Sequence, residues 1–200
     1  MSGLVVIDSG GANLGSVHNA LLRLGVDAQI TLDLDAIRNA ERLLLPGVGA
    51  AAPIMRRLHD SGVAALLRES RQPMLGICVG MQVLFERSEE GDTPCLGLLP
   101  GAVVRVEPGA GIRVPHMGWN RLRRERESSL LDGIGDGDYA YFVHSYAAGV
   151  DGTCIASVEH GGRYAALVQR GHIAGAQFHP ERSAQAGAQV LRNFLNWQPT

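Results

Sequence analysis

The chain has 200 residues, 46% of them hydrophobic and 19% charged, with a formal net charge of -2. That length and apolar content suffice for one domain with a buried core, and the balance excludes disorder and a global basic excess for nucleic acid. No apolar run approaches the roughly 18 residues of a membrane span, and three widely spaced cysteines with no CxxC or Cys/His cluster argue against disulfides and structural zinc.

The opening MSGLVVIDSGG lacks the basic segment, long apolar run and cleavage site of a signal peptide, so a cytoplasmic protein without membrane association is expected. Leu4 to Ile7 reads as a strand. A helical pattern follows from Leu14 to Leu24, with Gly25 as its stop. The turn between them, Asp8 to Gly15, imitates a dinucleotide fingerprint, with Asp33 or Asp35 at a plausible ribose distance. It has Ala12 where that pattern needs the glycine that admits a pyrophosphate, and no Gly-Lys-Ser/Thr follows. A tight strand-to-helix turn capped by Asn13 is expected instead.

Ala28 to Thr31 is a weaker strand, and Arg42 to Leu45 is a third, closed by PGVG. Pro53 suits the first turn of a helix running to about Ser70. Pro73 to Ile77 is a fourth strand, and Val79 to Glu86 begins another helix. After about Pro100 the rhythm changes: AVVRV, YAYFV, TCIASVEH, RYAALVQR and HIAGAQF follow closely, with His160-Gly161-Gly162 as a hairpin turn. The basic stretch from Arg121 to Glu127 is interrupted by two glutamates and reads as a solvated loop or strand. A final helix spans about Ser183 to Trp197. The expected fold is α/β: a doubly wound, largely parallel central sheet flanked by helices, with additional mainly antiparallel strands in the C-terminal half, forming one domain over residues 1–200.

Gly76 to Gly80, GICVG, is the cysteine form of a nucleophile elbow. It follows an apolar strand and opens a helix, so Cys78 projects from the carboxyl edge of the sheet. The helix N-terminus favours a thiolate, and the Val79 N–H can serve an oxyanion hole. A thiolate needs a base and an orienting group. His18 and His59 fall in helical patterns, and His160 and His172 in turns. His179 ends the apolar run IAGAQF, and Glu181 stands two residues on, on the same side of an extended segment. Pro180 favours that extended conformation at His179, and the Glu181 carboxylate can then hold the imidazole tautomer.

GICVGMQ, FHPE and LPGVG together resemble the class I, triad-type glutamine amidotransferases. Within that class, ANLGSV, PHMGWN and YFVHSY resemble the glutaminase subunits of imidazole glycerol phosphate synthases, and the resemblance covers nearly the whole chain. It implies Cys78 as nucleophile, His179 as general base and acid, and Glu181 as orienter. A second oxyanion N–H would come from Val48 or Gly49. Gly49, Gln82, His144, Ser145 and Tyr146 would hold glutamine. Asn13, Met117, Trp119 and Asn120 would face a separate (β/α)8 barrel cyclase subunit, which receives the ammonia and forms imidazole glycerol phosphate and an aminoimidazole carboxamide ribotide in histidine biosynthesis. This chemistry needs no metal or organic cofactor.

The chain departs from the family pattern at Ser9, Ala51 and Arg182. Three other readings share parts of the pattern. PHMGWN and YFVHSY argue against a glutaminase of pyridoxal phosphate or anthranilate synthesis. Glu181 argues against a cysteine hydrolase on a flavodoxin-like fold, and the intact Cys78, His179 and Glu181 argue against an inactive regulatory subunit. Without the resemblance, PHMGWN would read as a β-turn with a packed Trp119, and HSY as a strand end with a buried tyrosine.

Overall fold

The computed structural model describes residues 3–11, 13–109 and 111–199. Its N-terminal half alternates β1 (Leu4–Ile7), α1 (Leu14–Arg23), β2 (Gln29–Thr31), α2 (Leu34–Arg38), β3 (Arg42–Gly47), α3 (Ala51–Asp60), α4 (Val63–Glu69), β4 (Met74–Cys78) and α5 (Val79–Gln82). Short strands β5 (Arg87–Ser88), β6 (Thr93–Pro94) and β7 (Ala102–Arg105) follow, then β8 (His116–Arg121) and β9 (Arg123–Arg124). The chain continues through β10 (Tyr139–His144), β11 (Tyr146–Ala148), β12 (Cys154–Glu159), β13 (Arg163–Arg170) and β14 (Ile173–Ala176), and α6 (Ala184–Asn196) closes it.

The main sheet runs β2-β1-β3-β4-β14-β13-β12-β9. Its first five strands pair in parallel and the rest antiparallel. Every residue of β1 and β4 is buried, as strands covered on both faces require. The long helices that flank the sheet bury one stripe each: Val17, Ala20 and Leu21 on α1, and Gly187, Val190, Leu191 and Phe194 on α6. Strand order reverses between β2-β1 and β3-β4, and such a switch opens a crevice at the carboxyl ends of the strands. A separate ribbon pairs β8 with β10, and β11-β7-β5-β6 form a third small sheet.

Several expectations change. The helix expected from Pro53 to Ser70 is two helices, because Gly62 adopts φ 77° and turns the chain between them. The helix expected from Val79 to Glu86 is one turn, α5, after which Val83, Leu84 and Phe85 are buried outside any helix. Asp33, beyond the turn that imitates a dinucleotide fingerprint, has a local role, its carboxylate capping α2 by accepting from the Ala36 N–H. Asp35 pairs with Arg38. Ala12 lies outside the described residues. PHMGWN is no β-turn: from His116 onward it forms β8, and Trp119 is 52% exposed.

Candidate active site

Cys78 closes β4 with φ 54° and ψ -115°, a conformation that L side chains rarely adopt. The surrounding glycines explain how the strain is held. A Cβ at Gly80 would lie 1.9 Å from the Leu45 carbonyl oxygen, and one at Gly76 2.6 Å from the Gly80 oxygen. The turn of α5 therefore rests directly on the backbone of β3 and β4, and Cys78 at its start faces the crevice.

His179 follows β14, the neighbour of β4 in the sheet. Its backbone N–H donates to the Tyr141 carbonyl at 3.0 Å. The buried Ser183 hydroxyl donates to the His179 carbonyl at 2.7 Å and accepts from the Tyr141 N–H at 2.9 Å. Pro180–Arg182 is a 3-10 turn, so strand alternation does not bring Glu181 to the ring. The turn does: His179 Nδ1 donates to Glu181 Oε1 at 2.7 Å. Gly187 lets α6 press on this turn, since a Cβ there would lie 2.0 Å from the Pro180 oxygen.

The His179 and Glu181 side chains are 4% and 1% exposed. Burial works against charge on His179, but its interactions with Cys78 and Glu181 outweigh that and raise its pKa to about 10. Burial pushes the Glu181 carboxyl up, while the hydrogen bond and charge of His179, with the Asn13 hydrogen bond, bring it below its ordinary value. The buried His179 Nε2 forms no hydrogen bond of good geometry among the described residues, and its interaction with the Cys78 thiol leaves it placed for proton transfer. Arrangements of this kind suit nucleophilic acyl transfer: a strained thiol at an elbow, an imidazole beside it and a buried carboxylate behind.

Cys78 and His179 share a cavity of about 320 Å³ with Val48, Gly49, Val79, Gln82, His144, Ser145 and Tyr146. The family described as "Glutamine amidotransferase class-I" matches residues 5–197. Imidazole glycerol phosphate synthase subunit HisH of Xanthomonas oryzae pv. oryzae (strain MAFF 311018) is 57% identical over 195 residues, 98% of each chain. The same subunit of Xylella fastidiosa (strain Temecula1 / ATCC 700964) is 54% identical with the same coverage. The chain belongs to the class I glutamine amidotransferases, in the HisH family. A glutamine amidotransferase crystal structure shares its fold, with a TM-score of 0.76 at 21% identity over 98% of both chains.

In this amidotransferase two polar side chains take partners that the sequence did not suggest. Asn13 precedes α1 but makes no side-chain cap. Its Nδ2 donates to Glu181 Oε1 at 2.6 Å instead. Gln82 spends its amide hydrogens on the Tyr146 carbonyl at 2.8 Å and on Gln177 Oε1 at 3.0 Å. Gln177, buried beneath the site, directs its own Nε2 at the Cys78 sulfur from 4.0 Å. Gln177 stands in AQFHPE, and the alternation of β14 into that segment was the available signal.

Glu90 also lines the cavity and was missed. It sits in the charged stretch SEEGD, which looks like a solvated loop, yet its carboxylate accepts the Ala51 N–H at the start of α3 at 2.9 Å. Of the four residues expected to face a partner, Met117 and Trp119 are 64% and 52% exposed, while Asn13 and Asn120 spend their side chains inside the protein. Two of the departures have structural places. Ser9 is buried and donates to the Pro46 carbonyl at 2.5 Å, tying the β1 turn to the PGVG loop, and Ala51 is buried at the start of α3.

Proposed function

We propose that this chain is the glutaminase subunit of an imidazole glycerol phosphate synthase, a single amidotransferase domain over residues 1–200 that works in the cytoplasm. Glutamine enters the cavity with its side-chain amide over Cys78. The thiolate attacks the amide carbon, and the oxyanion accepts hydrogen bonds from the N–H groups of Val79 and of Val48 or Gly49. His179 gives its Nε2 proton to the departing nitrogen, so the C–N bond breaks, ammonia leaves and a cysteinyl thioester remains. His179 then takes a proton from water as the oxygen attacks the thioester carbonyl. The C–S bond breaks, glutamate forms and the thiolate returns. Glu181 keeps the ring in the tautomer that makes both transfers possible.

The remaining walls fit the amino-acid end of the substrate. Glu90 supplies a carboxylate for the α-ammonium, and the backbone of His144, Ser145 and Tyr146 lies alongside. Ammonia passes to a (β/α)8 barrel cyclase that docks on the face bearing Met117 and Trp119, where it is used to form imidazole glycerol phosphate and an aminoimidazole carboxamide ribotide. The proposal is carried by the convergence of Cys78 and His179 on one cavity, with Glu181 2.7 Å behind the ring. Glutamate release from glutamine, measured with and without a barrel cyclase from a HisH-containing organism, tests it. The expected result is glutaminase turnover that rises when the cyclase is added. Turnover unchanged by the cyclase, or none in either condition, would overturn the assignment.

A further inference from the structure

Three neighbouring histidines, His116, His144 and His160, take no part in the chemistry above. His116 and His144 are 4% and 6% exposed, and His160 stacks on His116. Buried imidazoles are costly unless every nitrogen has a partner. Here the partners are ordered. His144 Nδ1 lies 2.9 Å from the Tyr146 carbonyl, which can only accept, so Nδ1 carries the proton. Burial first, and His116 second, lower the pKa of His144 to about 3, so the ring is neutral and its Nε2 accepts. His116 Nδ1, 3.2 Å away, must then donate. Burial and the nearby His160 lower His116 to about 4, so its Nε2 also accepts. Asn120 Nδ2 supplies that hydrogen at 3.1 Å. The amide orientation of Asn120 is fixed independently, because Nδ2 also donates to the Glu159 carbonyl at 2.9 Å and Oδ1 accepts from the Arg121 N–H at 2.8 Å.

We infer that Asn120 and His116 are positioning residues for the substrate wall, acting through a one-directional relay from Asn120 to His116 to His144 to the Tyr146 carbonyl. That carbonyl already accepts from Gln82, so the second hydrogen bond fills its remaining lone pair and fixes the peptide plane beside the cavity. The Ser145 carbonyl is fixed in turn by the Val106 N–H at 2.9 Å. His116 can hold its direction because its ring is clamped between Phe142 and His160, with centroids 4.7 and 4.0 Å away and planes within 15° and 14°. His160 is itself anchored to the Arg113 carbonyl at 2.8 Å. Stacking sets the ring plane, and the relay sets the tautomer.

This inference rests on the reading of the cavity as a glutamine site, and its test separates the two. Nitrogen-15 NMR of histidine-labelled wild-type protein should show both His116 and His144 neutral near pH 7 and protonated at Nδ1. Either ring in the opposite tautomer would overturn the relay whatever the activity. Glutaminase assays then read its consequence. His116→Phe keeps the stacked volume and removes both hydrogen bonds. A net loss of about 1 kcal/mol in a neutral hydrogen bond corresponds to about fivefold, so KM for glutamine should rise about five- to tenfold with kcat within about twofold. His116→Asn retains a donor near the Nδ1 position and should restore KM to within about twofold.

A purely structural role would lower the active fraction without moving KM. A folded His116→Phe with unchanged KM, or His116→Asn impaired equally, would refute the positioning role. Should His116→Phe fail to fold, Asn120→Leu removes only the terminal donor and should raise KM about two- to fivefold, with no rise counting against the relay. A wild-type protein without glutaminase activity both alone and with the cyclase would refute the glutamine reading, and the relay would then be judged on the tautomers alone.

Discussion

Replacing Asn13 by alanine should cripple turnover while leaving the fold intact. Glu181 Oε1 receives two hydrogen bonds, from His179 Nδ1 at 2.7 Å and from Asn13 Nδ2 at 2.6 Å, whereas the buried Oε2 has no partner among the described residues. The 3.4 Å approach of Asn13 Nδ2 to His179 Nδ1 brings two donors to one acceptor, so Asn13 acts on the carboxylate and not on the ring. Asn13→Ala would leave a carboxylate of 1% exposure with a single donor. A hydrogen bond to a charged group contributes about 1.5–3 kcal/mol, which is roughly a 10- to 150-fold loss in kcat/KM if it acts wholly in the transition state. The site is partly exposed at Asn13 itself, so the melting temperature should move little. Asn13→Asp adds the sign test. Two carboxylates so close cannot both ionise, so this variant should be worse than Asn13→Ala at neutral pH and gain on it as pH falls and the introduced carboxylate takes a proton. Steady-state kinetics between pH 5 and 9 would measure both. An Asn13→Ala enzyme within about twofold of wild type would show that Glu181 is held by His179 alone.

Cys78→Ser should abolish glutamine-dependent synthesis and spare synthesis from ammonium salt, and equal loss with both nitrogen sources would contradict the ammonia-supply role. Cys95→Ala and Cys154→Ala should keep most activity, and because burial raises those thiols to about 11 and about 12, iodoacetamide at neutral pH should leave both unlabelled in the native protein. The raised His179 pKa, about 10 against an ordinary 6.5, means that its charge stabilises the fold fully below about pH 6.5 and ceases to as pH rises through about 10. Removing the sulfur in Cys78→Ala should lower that value, and an NMR titration still near 10 would assign the shift to Glu181 alone. Gly80→Ala forces a Cβ against the Leu45 carbonyl at 1.9 Å, a backbone contact that only movement of α5 can relieve. Overpacking of about 1–3 kcal/mol predicts a melting temperature lower by about 2–12 °C together with lost activity, and an unchanged melt would refute the close-packed elbow.

The parallel strands and the elbow were legible because their signals are local. Leu4 to Ile7 and Met74 to Cys78 are continuous apolar runs, and G-x-C-x-G is spaced by the backbone contact that Gly76 and Gly80 make. Features set by distant partners were not. Asn13 is a good capping residue by type, but a carboxylate 168 positions away takes its amide. Ala51, Ile54, Met55 and Leu58 before Gly62 and Val63, Ala64 and Leu67 after it would lie on opposite sides of one continued helix, so the positive φ of Gly62 is what turns the second apolar stripe back to the core. Val79 to Phe85 reads as helix, yet all seven residues are buried, and a segment with no solvent face leaves no periodicity to set its length. Glu181 reached the right ring through the wrong geometry, because a 3-10 turn does what an extended pair was expected to do.

The β8–β10 ribbon connects these observations. Two paired strands alone are marginal in water, so the ribbon's position depends on what anchors it. Residues of β8 alternate: Met117 and Trp119 point outward, while His116 and Asn120 point in toward the relay. On β10, Tyr141 lies edge-on to Trp119, with ring centroids 5.9 Å apart, while its carbonyl accepts the His179 N–H and its own N–H donates to Ser183. Phe142 packs edge-to-face on Phe178, the residue before His179. The ribbon is thus fastened at one place to the backbone of His179 and at another to the wall at Tyr146. The two attachments use different bonds, so each can be removed separately: Ser183→Ala takes away a hydrogen bond at the first and His116→Phe those at the second.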